Sequence, residues 1–336
     1  MGGKKIYLDY AASEPLKAKA RTAMMKAVEH AGNPNSSAGI GPKMSGNIER
    51  AKCVIAATLN VDPGGIFFTP GATAGIYCAK RIIEESGQNA FFDEYKVHSA
   101  IKNMFIRSVD DGEAFVFPAV QNESGEIISW DRPGGKKNGL TVCDATAAYG
   151  HIPMDLKDSG IDILIAGAHK FGGPKGIGFV YLSGNALEYT DGTSLPSVFF
   201  GTPPYELVMG MEKAAIASIP TGFKTRRLHE IREALKNGID GEAVESEHQY
   251  PGILAMHVKV PNDAVVQLCS RNGVIISSGA ACTSGSQKPS AAYASLGLSA
   301  EEALETIRIS FGPDISMEEI KKAISVINDA IAYLRG

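Results

Sequence analysis

Apolar positions recur along the first two thirds of the chain in two alternating rhythms. Around Val54-Ile55 they follow a helical period, with Ile48, Ala51, Ile55 and Leu59 on one face. A short apolar run at Ile66–Thr69 then predicts a strand, and a helix is expected from near Ala72 to Ser86-Gly87. Further strands are predicted at 114–118, 140–144, 161–167 and 178–182. Strands separated in this way by helical segments imply a mostly parallel sheet with helices on both faces.

The last third changes rhythm. Residues 253–260 and 274–277 read as strands, and 306–311 alternates Ile307, Ile309 and Phe311 with Arg308 and Ser310. That alternation is expected to bury one face and display Arg308 on the other. Two Ser-x-x-Glu capping boxes, Ser299 with Glu302 and Ser316 with Glu319, open flanking helices. A smaller α+β domain is therefore expected, joined to the first near residues 220–224.

Composition narrows the function classes. The 336 residues, at about 150 per domain, suggest two domains. With 44% apolar and 21% charged residues, the chain has the makings of a large core and too little charge for disorder. A net charge of −4 supplies no basic field for nucleic acid. The uncharged stretch 63–79 is interrupted by Pro70 and glycines, which disfavours a membrane span. The N-terminal MGGKKIYLDYAAS lacks a signal-peptide apolar run, so cytoplasmic residence is the expected default. Five cysteines, an odd number without a Cys-x-x-Cys pair, argue against a disulfide framework or a structural zinc site.

The segment 141–178, TVCDATAAYGHIPMDLKDSGIDILIAGAHKFGGPKGIG, carries the strongest chemical signal. It puts Asp144 at the end of one predicted strand and Lys170 at the end of the next, with a short helical crossover expected between. Neighbouring strands lie about 4.8 Å apart, so the two side chains are expected to converge at the carboxyl edge of the sheet, where open α/β folds bind ligands. An amine and a carboxylate so placed suit pyridoxal phosphate, which needs a lysine for its Schiff base and a carboxylate at its ring nitrogen. An Asp capping a turn beside a surface Lys would have the same spacing.

Residues 69–75, Thr-Pro-Gly-Ala-Thr-Ala-Gly, follow a strand and open a helix. Backbone N–H groups and the helix dipole would meet a phosphate there, although most such turns only turn the chain. No Gly-Lys-Ser/Thr phosphate loop is present. Residues 277–286, SSGAACTSGS, form a small, polar segment in which Cys282 is expected to be accessible. Cys53, Cys78, Cys143 and Cys269 lie in helical or apolar stretches and read as packing thiols.

Taken in order, these pieces resemble the cysteine desulfurases, pyridoxal-phosphate enzymes of the class V aminotransferase group. The resemblance runs through YLDYAA at 7–12, Gly32-Asn-Pro34, Gly71-Ala-Thr73, His98, Gln121-Asn-Glu123, Asp144-Ala-Thr146, His169-Lys170, Gly201-Thr202, SGAACTS at 278–284 and Arg308. It implies the α/β fold of pyridoxal-phosphate-dependent transferases (fold type I). A large domain over 15–224 and a smaller one from 1–14 plus 225–336 would then be expected. By the same resemblance Lys170 holds the cofactor, Asp144 pairs with its ring nitrogen, His98 stacks on the ring, and Asn122 lies near the ring oxygen and substrate. Gly71, Ala72, Thr73 and His169 serve the phosphate, and Thr202 reaches the phosphate of a partner subunit, which implies a homodimer. Arg308 would grip the carboxylate of L-cysteine in a bidentate pair. Cys282 would attack the substrate sulfur as thiolate, leaving alanine and a persulfide for a sulfur-acceptor or scaffold protein, and His98 is the candidate base for its proton.

Several positions depart from the family pattern. The Gln three residues after the Asp is Ala147, and the Ser three before the Lys is Gly167. One hydrogen bond to the ring oxygen and one to the phosphate are thereby missing. The histidine of the family's Asn-Pro-Ser-Ser-x-His motif is lost from Asn33-Pro-Asn-Ser-Ser-Ala38, Ala74 replaces a Glu, and residues 195–200 replace a Gly-rich stretch. These changes keep two other readings open: a class V aminotransferase or a lyase for selenocysteine or cysteine sulfinate, and a non-catalytic paralogue acting as a partner in sulfur or Fe-S assembly.

Overall fold

The structure, a computed structural model, describes residues 5–105, 112–129, 139–190, 201–278 and 289–336. They group in two compact units, one of Ser13–Ala119 with Ser129–Ile219, the other of Met1–Ala12, Val120–Ile128 and Pro220–Gly336. The first strand, β1 (Ile6–Tyr7), belongs to the second, smaller unit.

Six strands form the sheet of the larger unit: β2 (Ile66–Thr69), β3 (Ala90–Phe91), β4 (Ala114–Pro118), β5 (Thr141–Asp144), β6 (Ile163–Gly167) and β7 (Gly178–Leu182). Their order is β2-β7-β6-β5-β4-β3. The pairs from β3 to β6 are parallel, while β7 runs antiparallel to both β6 and β2. The fold is therefore α/β with a mixed, mostly parallel sheet. Strand β7 follows β6 after only ten residues, too short a connection for the helical crossover that a parallel neighbour needs.

Helices α1 (Ala18–Val28), α2 (Gly41–Leu59) and α3 (Ala72–Glu85) flank this sheet in the sequence. The predicted stripe of α2 is buried through Ile48, Ala51, Ile55 and Leu59. Ile76, Ala79, Ile82 and Ile83 of α3 join Val116, Val142, Ile163, Ile165, Val180 and Leu182 in one apolar cluster. The alternate positions Cys143, Leu164 and Ala166 are also fully buried, so both faces of the sheet are covered. This is why the strands read as continuous apolar runs.

The stretch between β5 and β6 is a series of turns rather than the helix expected from sequence. Gly150, Asp158 and Gly160 take left-handed backbone angles (φ +80°, +60° and +73°), and Pro153 lies among them. Helix propagation cannot pass through such residues. After the short helices α4 (Ser99–Met104) and α5 (Gly184–Leu187), α6 (Tyr205–Ser218) closes the unit and packs on α1 and α2.

Besides β1, the smaller unit contains α7 (Gly222–Gly238), β8 (Glu242–Val244), β9 (Ile253–His257), α8 (Asn262–Arg271), β10 (Val274–Ile275) and the short helix α9 (Ala291–Ala294). It ends with α10 (Ala300–Leu304), β11 (Thr306–Ser310) and α11 (Met317–Arg335). An antiparallel sheet runs β11-β9-β8, and β1 pairs in parallel with β10. Both predicted capping boxes are formed, Ser299–Glu302 on α10 and Ser316–Glu319 on α11.

Residues 120–128, which the sequence reading carries within the larger domain, group with the smaller unit. Ile127 N donates to His248 O, Tyr250 N to Gly125 O and Gln249 Nε2 to Ser124 O, which ties the segment to residues 248–250. Among the described residues no helix is long and apolar enough to cross a membrane.

One row of residues fixes where the strands of the larger sheet end. Thr69 of β2 faces Gly178 of β7, which in turn faces Gly167 of β6. A Cβ added at Gly178 would meet Ala166 O at 2.4 Å and the Gly71 carbonyl carbon at 3.1 Å, both backbone atoms that cannot turn aside. Gly178→Ala is expected to cost roughly 1–3 kcal/mol in chemical denaturation, the usual penalty of overpacking. A variant as stable as the parent would contradict this packing.

Candidate active site

Strand β5 places Asp144 at its last position, paired with Ile165 of β6, and β6 runs straight into the short turn of helix Ala168–Lys170. Asp144 and Lys170 thus lie at the carboxyl ends of neighbouring parallel strands. Asp144 is buried, its Oδ1 accepting from Thr146 N at 3.0 Å and its carbonyl from Ala119 N at 3.0 Å. His98 caps α4, its Nδ1 accepting from Ala100 N at 3.1 Å. The ring keeps an exposed edge, yet crowding by protein is the first cause that lowers its pKa. The Asp144 carboxylate opposes that fall, and Lys170 and Lys102 add to it. Two further sequence-predicted groups, Asp144 and Lys170, are thus near enough to His98 to act on its charge.

The backbone bond to His98 has a chemical consequence. A backbone N–H only donates, so Nδ1 carries no proton and the neutral ring holds its proton on Nε2. At that atom His98 offers a proton first, and it becomes a base only after passing that proton on. His169 is neutral as well. Burial first, then Lys170 and Lys175, lower its pKa from 6.5 to about 4, and its Nδ1 lies 3.4 Å from Ser13 Oγ.

The first turn of α3 adjoins the same edge. Gly71 has φ +147°, open only to glycine, and its carbonyl accepts from Thr69 Oγ1 at 2.9 Å. A Cβ added at Gly167 would lie 3.6 Å from Ala72 N, so the side-chain direction of residue 167 faces this turn. Gly71, Ala72 and Thr73 begin a helix of 14 residues, whose leading N–H groups have no partners within the helix. Thr202 is exposed, and the adjacent Gly201 O accepts from Asn35 Nδ2 at 3.0 Å.

These residues fit pyridoxal phosphate. A lysine and a carboxylate share one sheet edge with an anion-accepting helix start, a neutral imidazole lies within their electrostatic reach, and Thr146 Oγ1, two residues from Asp144, is buried without a hydrogen-bond partner. Among the described residues no cluster of His, Cys, Asp or Glu could hold a metal ion.

Arg308 corrects the sequence expectation. Every residue of β11 is buried, and Arg308 is 5% exposed rather than displayed to solvent. Asp9 and Asn122, which the sequence places far from it, belong to the same unit and pack against its side chain. Arg308 Nη2 pairs with Asp9 Oδ1 at 2.7 Å and Nη1 donates to Asn122 O at 3.1 Å, whereas Nε is buried with no partner. Asn122 meets Arg308 through its backbone, in a turn held by Gln121 Oε1, which accepts from Glu123 N and Ser124 N. Asp9 lies within the YLDYAA motif, but without the fold nothing marked it as the partner of Arg308.

Cys282 lies outside the described residues. Of the four cysteines read as packing, Cys78, Cys143 and Cys269 are buried and Cys53 is exposed on α2, away from that helix's apolar stripe. Burial pushes the Cys78 thiol to about 12, the Cys269 thiol to about 11 and the Cys143 thiol upward, so none of these three supplies a thiolate at neutral pH.

Comparison with known proteins places this geometry. The model of the family "Aminotransferase class-V" matches residues 93–323. The chain is 30% identical to the cysteine desulfurase IscS of Shewanella woodyi, with 98% of the chain and 93% of that protein covered. It is 29% identical to the cysteine desulfurase IscS of Neisseria gonorrhoeae over the same shares. Among solved structures, a NifS-like protein superposes with a TM-score of 0.85 at 22% identity, covering 98% of this chain and all of that one. The cysteine desulfurase CsdA of Escherichia coli superposes at 0.78 with 16% identity, covering 98% of this chain and 95% of that one. The structural matches concern the fold.

The depressed pKa of His169 carries a stability prediction. A histidine held neutral in the folded state binds its proton more readily when unfolded, so stability falls as pH drops from 6.5 toward about 4. Denaturation across that window should show the loss, and His169→Gln should flatten it. An unchanged slope in the variant would contradict the neutral, crowded imidazole.

Proposed function

The chain belongs to the aminotransferase class-V family, and we propose that it is a pyridoxal-phosphate-dependent cysteine desulfurase, converting L-cysteine to L-alanine and carrying the sulfur as a persulfide on Cys282. The observation that carries this reading is the placement of Asp144 and Lys170 at the carboxyl ends of neighbouring parallel strands beside the start of α3, with His98 within electrostatic reach of both. Its similarity to proteins named cysteine desulfurase, over nearly the whole chain, supports the reaction.

Bound at Lys170, pyridoxal phosphate would supply an electron sink that weakens the bonds to the substrate's Cα and Cβ. Asp144, a buried carboxylate, keeps the ring nitrogen protonated. Lys170 Nζ holds the cofactor at rest and, once released, takes the proton from Cα. His98 covers the ring and delivers a proton from Nε2, after which that nitrogen is free to accept the proton of a thiol. Gly71, Ala72 and Thr73 cradle the phosphate with backbone N–H groups, and neutral His169 adds a donor without a charge. Thr146 Oγ1 stands in the stretch where Ala147 removes an amide donor, and it supplies a hydroxyl there.

In the smaller unit, Arg308 receives the substrate carboxylate on its Nε edge while Asp9 holds the other nitrogen, and Asn122 fixes the turn beside it. The Cys282 thiolate attacks the substrate sulfur. An S–S bond forms as the Cβ–S bond breaks, and the electron pair left on carbon takes a proton. One cysteine and one thiol thus give one alanine and one persulfide, which passes to a sulfur-acceptor protein in the cytoplasm. The larger unit would carry the cofactor, and the smaller one the substrate Arg and the Cys282 segment. A homodimer is part of the proposal, with Thr202 serving the partner's phosphate. Helices α1 and α6, which pack together, leave Met25, Val28 and Ile216 exposed for such a contact.

With L-cysteine and a reductant the protein should release alanine and sulfide in equal amounts, and Cys282→Ala should abolish both while the cofactor's visible absorbance stays. Unchanged desulfuration by Cys282→Ala would overturn the persulfide role and favour a lyase acting on selenocysteine or cysteine sulfinate. Asp9→Asn should raise the KM for L-cysteine roughly tenfold or more with a smaller change in kcat, since hydrogen bonds to charged groups are worth about 1.5–3 kcal/mol. An unaltered KM would remove Asp9 from substrate binding.

A further inference from the structure

The turn that carries Lys170 has every carbonyl from residue 168 to 172 engaged. Ala168 O accepts from Gly173 N at 2.8 Å and Phe171 N at 3.1 Å, His169 O from Glu14 N at 2.9 Å, and Gly172 O from Lys17 N at 3.0 Å. Side chains hold the other two. Lys170 O lies 2.7 Å from His151 Nε2, and Phe171 O accepts from Ser218 Oγ at 2.6 Å. Main-chain donors persist through substitution, whereas the bond from His151 to the Lys170 carbonyl is a side-chain bond that substitution can remove.

His151 is itself firmly seated. It follows Gly150, whose φ of +80° brings the backbone so close that an added Cβ would meet Ser218 Cβ at 2.7 Å and Phe171 Cβ at 3.0 Å. The His151 side chain is 19% exposed, and Glu14 Oε2 stands 3.8 Å from Nε2. Because a carbonyl only accepts, Nε2 carries the proton in this bond. Burial, Lys17 and Lys170 favour the neutral ring, while Glu14 and the bond to Lys170 O oppose them. Glu14 also forms an ion pair with Lys17, within the segment whose backbone N–H groups at Glu14 and Lys17 hold the same turn.

We propose that His151 is a positioning residue of the reaction: its Nε2–H holds the carbonyl of Lys170 and so fixes the backbone from which the lysine amine reaches the cofactor. The inference rests on the assignment of Lys170 as the cofactor lysine. His151 touches neither cofactor nor substrate in this account. A small displacement of a reacting group costs rate steeply, on the order of a hundredfold for about 1 Å.

The test uses the apo-protein and pyridoxal phosphate, reading the growth rate of the visible Schiff-base absorbance and, separately, the apo melting temperature. His151→Leu keeps bulk without a donor, and His151→Gln places an amide donor at similar reach. His151→Leu should slow the growth of the band roughly tenfold or more, and His151→Gln should restore it to within about threefold of the parent. If His151→Leu does not fold, His151→Asn, whose amide ends short of the carbonyl, takes its place with the same expectation. A donorless variant that forms the band at the parent rate overturns the inference, as does a Gln variant as slow as Leu. Equal loss of apo stability in both variants marks a structural role only and also overturns it. A parent protein with no band overturns the assignment of Lys170, and the inference with it.

Discussion

The parallel pairing of β5 with β6 is the constraint on which the rest depends. It sets Asp144 opposite Ile165, and β6 leads directly from Gly167 into the turn Ala168–Lys170, so that an acid and an amine far apart in sequence lie at the carboxyl ends of neighbouring strands. The antiparallel return of β7 adds a row of glycines, Gly167 and Gly178, that lets the first turn of α3 approach the same edge. Phosphate-side and ring-side chemistry are thus brought together by strand register, and the side chains need little freedom of their own.

Much of this was legible because the strands are buried on both faces and read as continuous apolar runs. The bounds of β2, β4 and β7 coincide with those runs, and Ser299 and Ser316 mark their helices through local hydrogen bonds that sequence spacing alone encodes. What sequence could not carry was long-range pairing. The alternation at β11 implied an exposed Arg308, but alternation reports only that one set of positions is polar, and a half-buried carboxylate at Asp9 pairs with the arginine from 299 residues away. The direction of β7, the grouping of residues 120–128 with the smaller unit, and the turns that replace a helix after Asp144 are likewise set by tertiary hydrogen bonds and by left-handed residues.

The departures from the family pattern also gain physical content. Residue 167 faces the helix start, so glycine there removes a side-chain donor but leaves the backbone cradle intact. Ala147 removes another donor beside Thr146, whose hydroxyl is buried without a partner. The acid, the amine and the neutral imidazole proposed to hold the cofactor are all retained. The chain has changed the periphery of that site more than its charges.

The central claim is that Lys170 is the lysine that holds pyridoxal phosphate. Its most direct test is to load the purified protein with pyridoxal phosphate, reduce it with borohydride, and map the modified peptide by mass spectrometry. The account predicts a single pyridoxyl-lysine at Lys170. Modification at another lysine, or none, would contradict it.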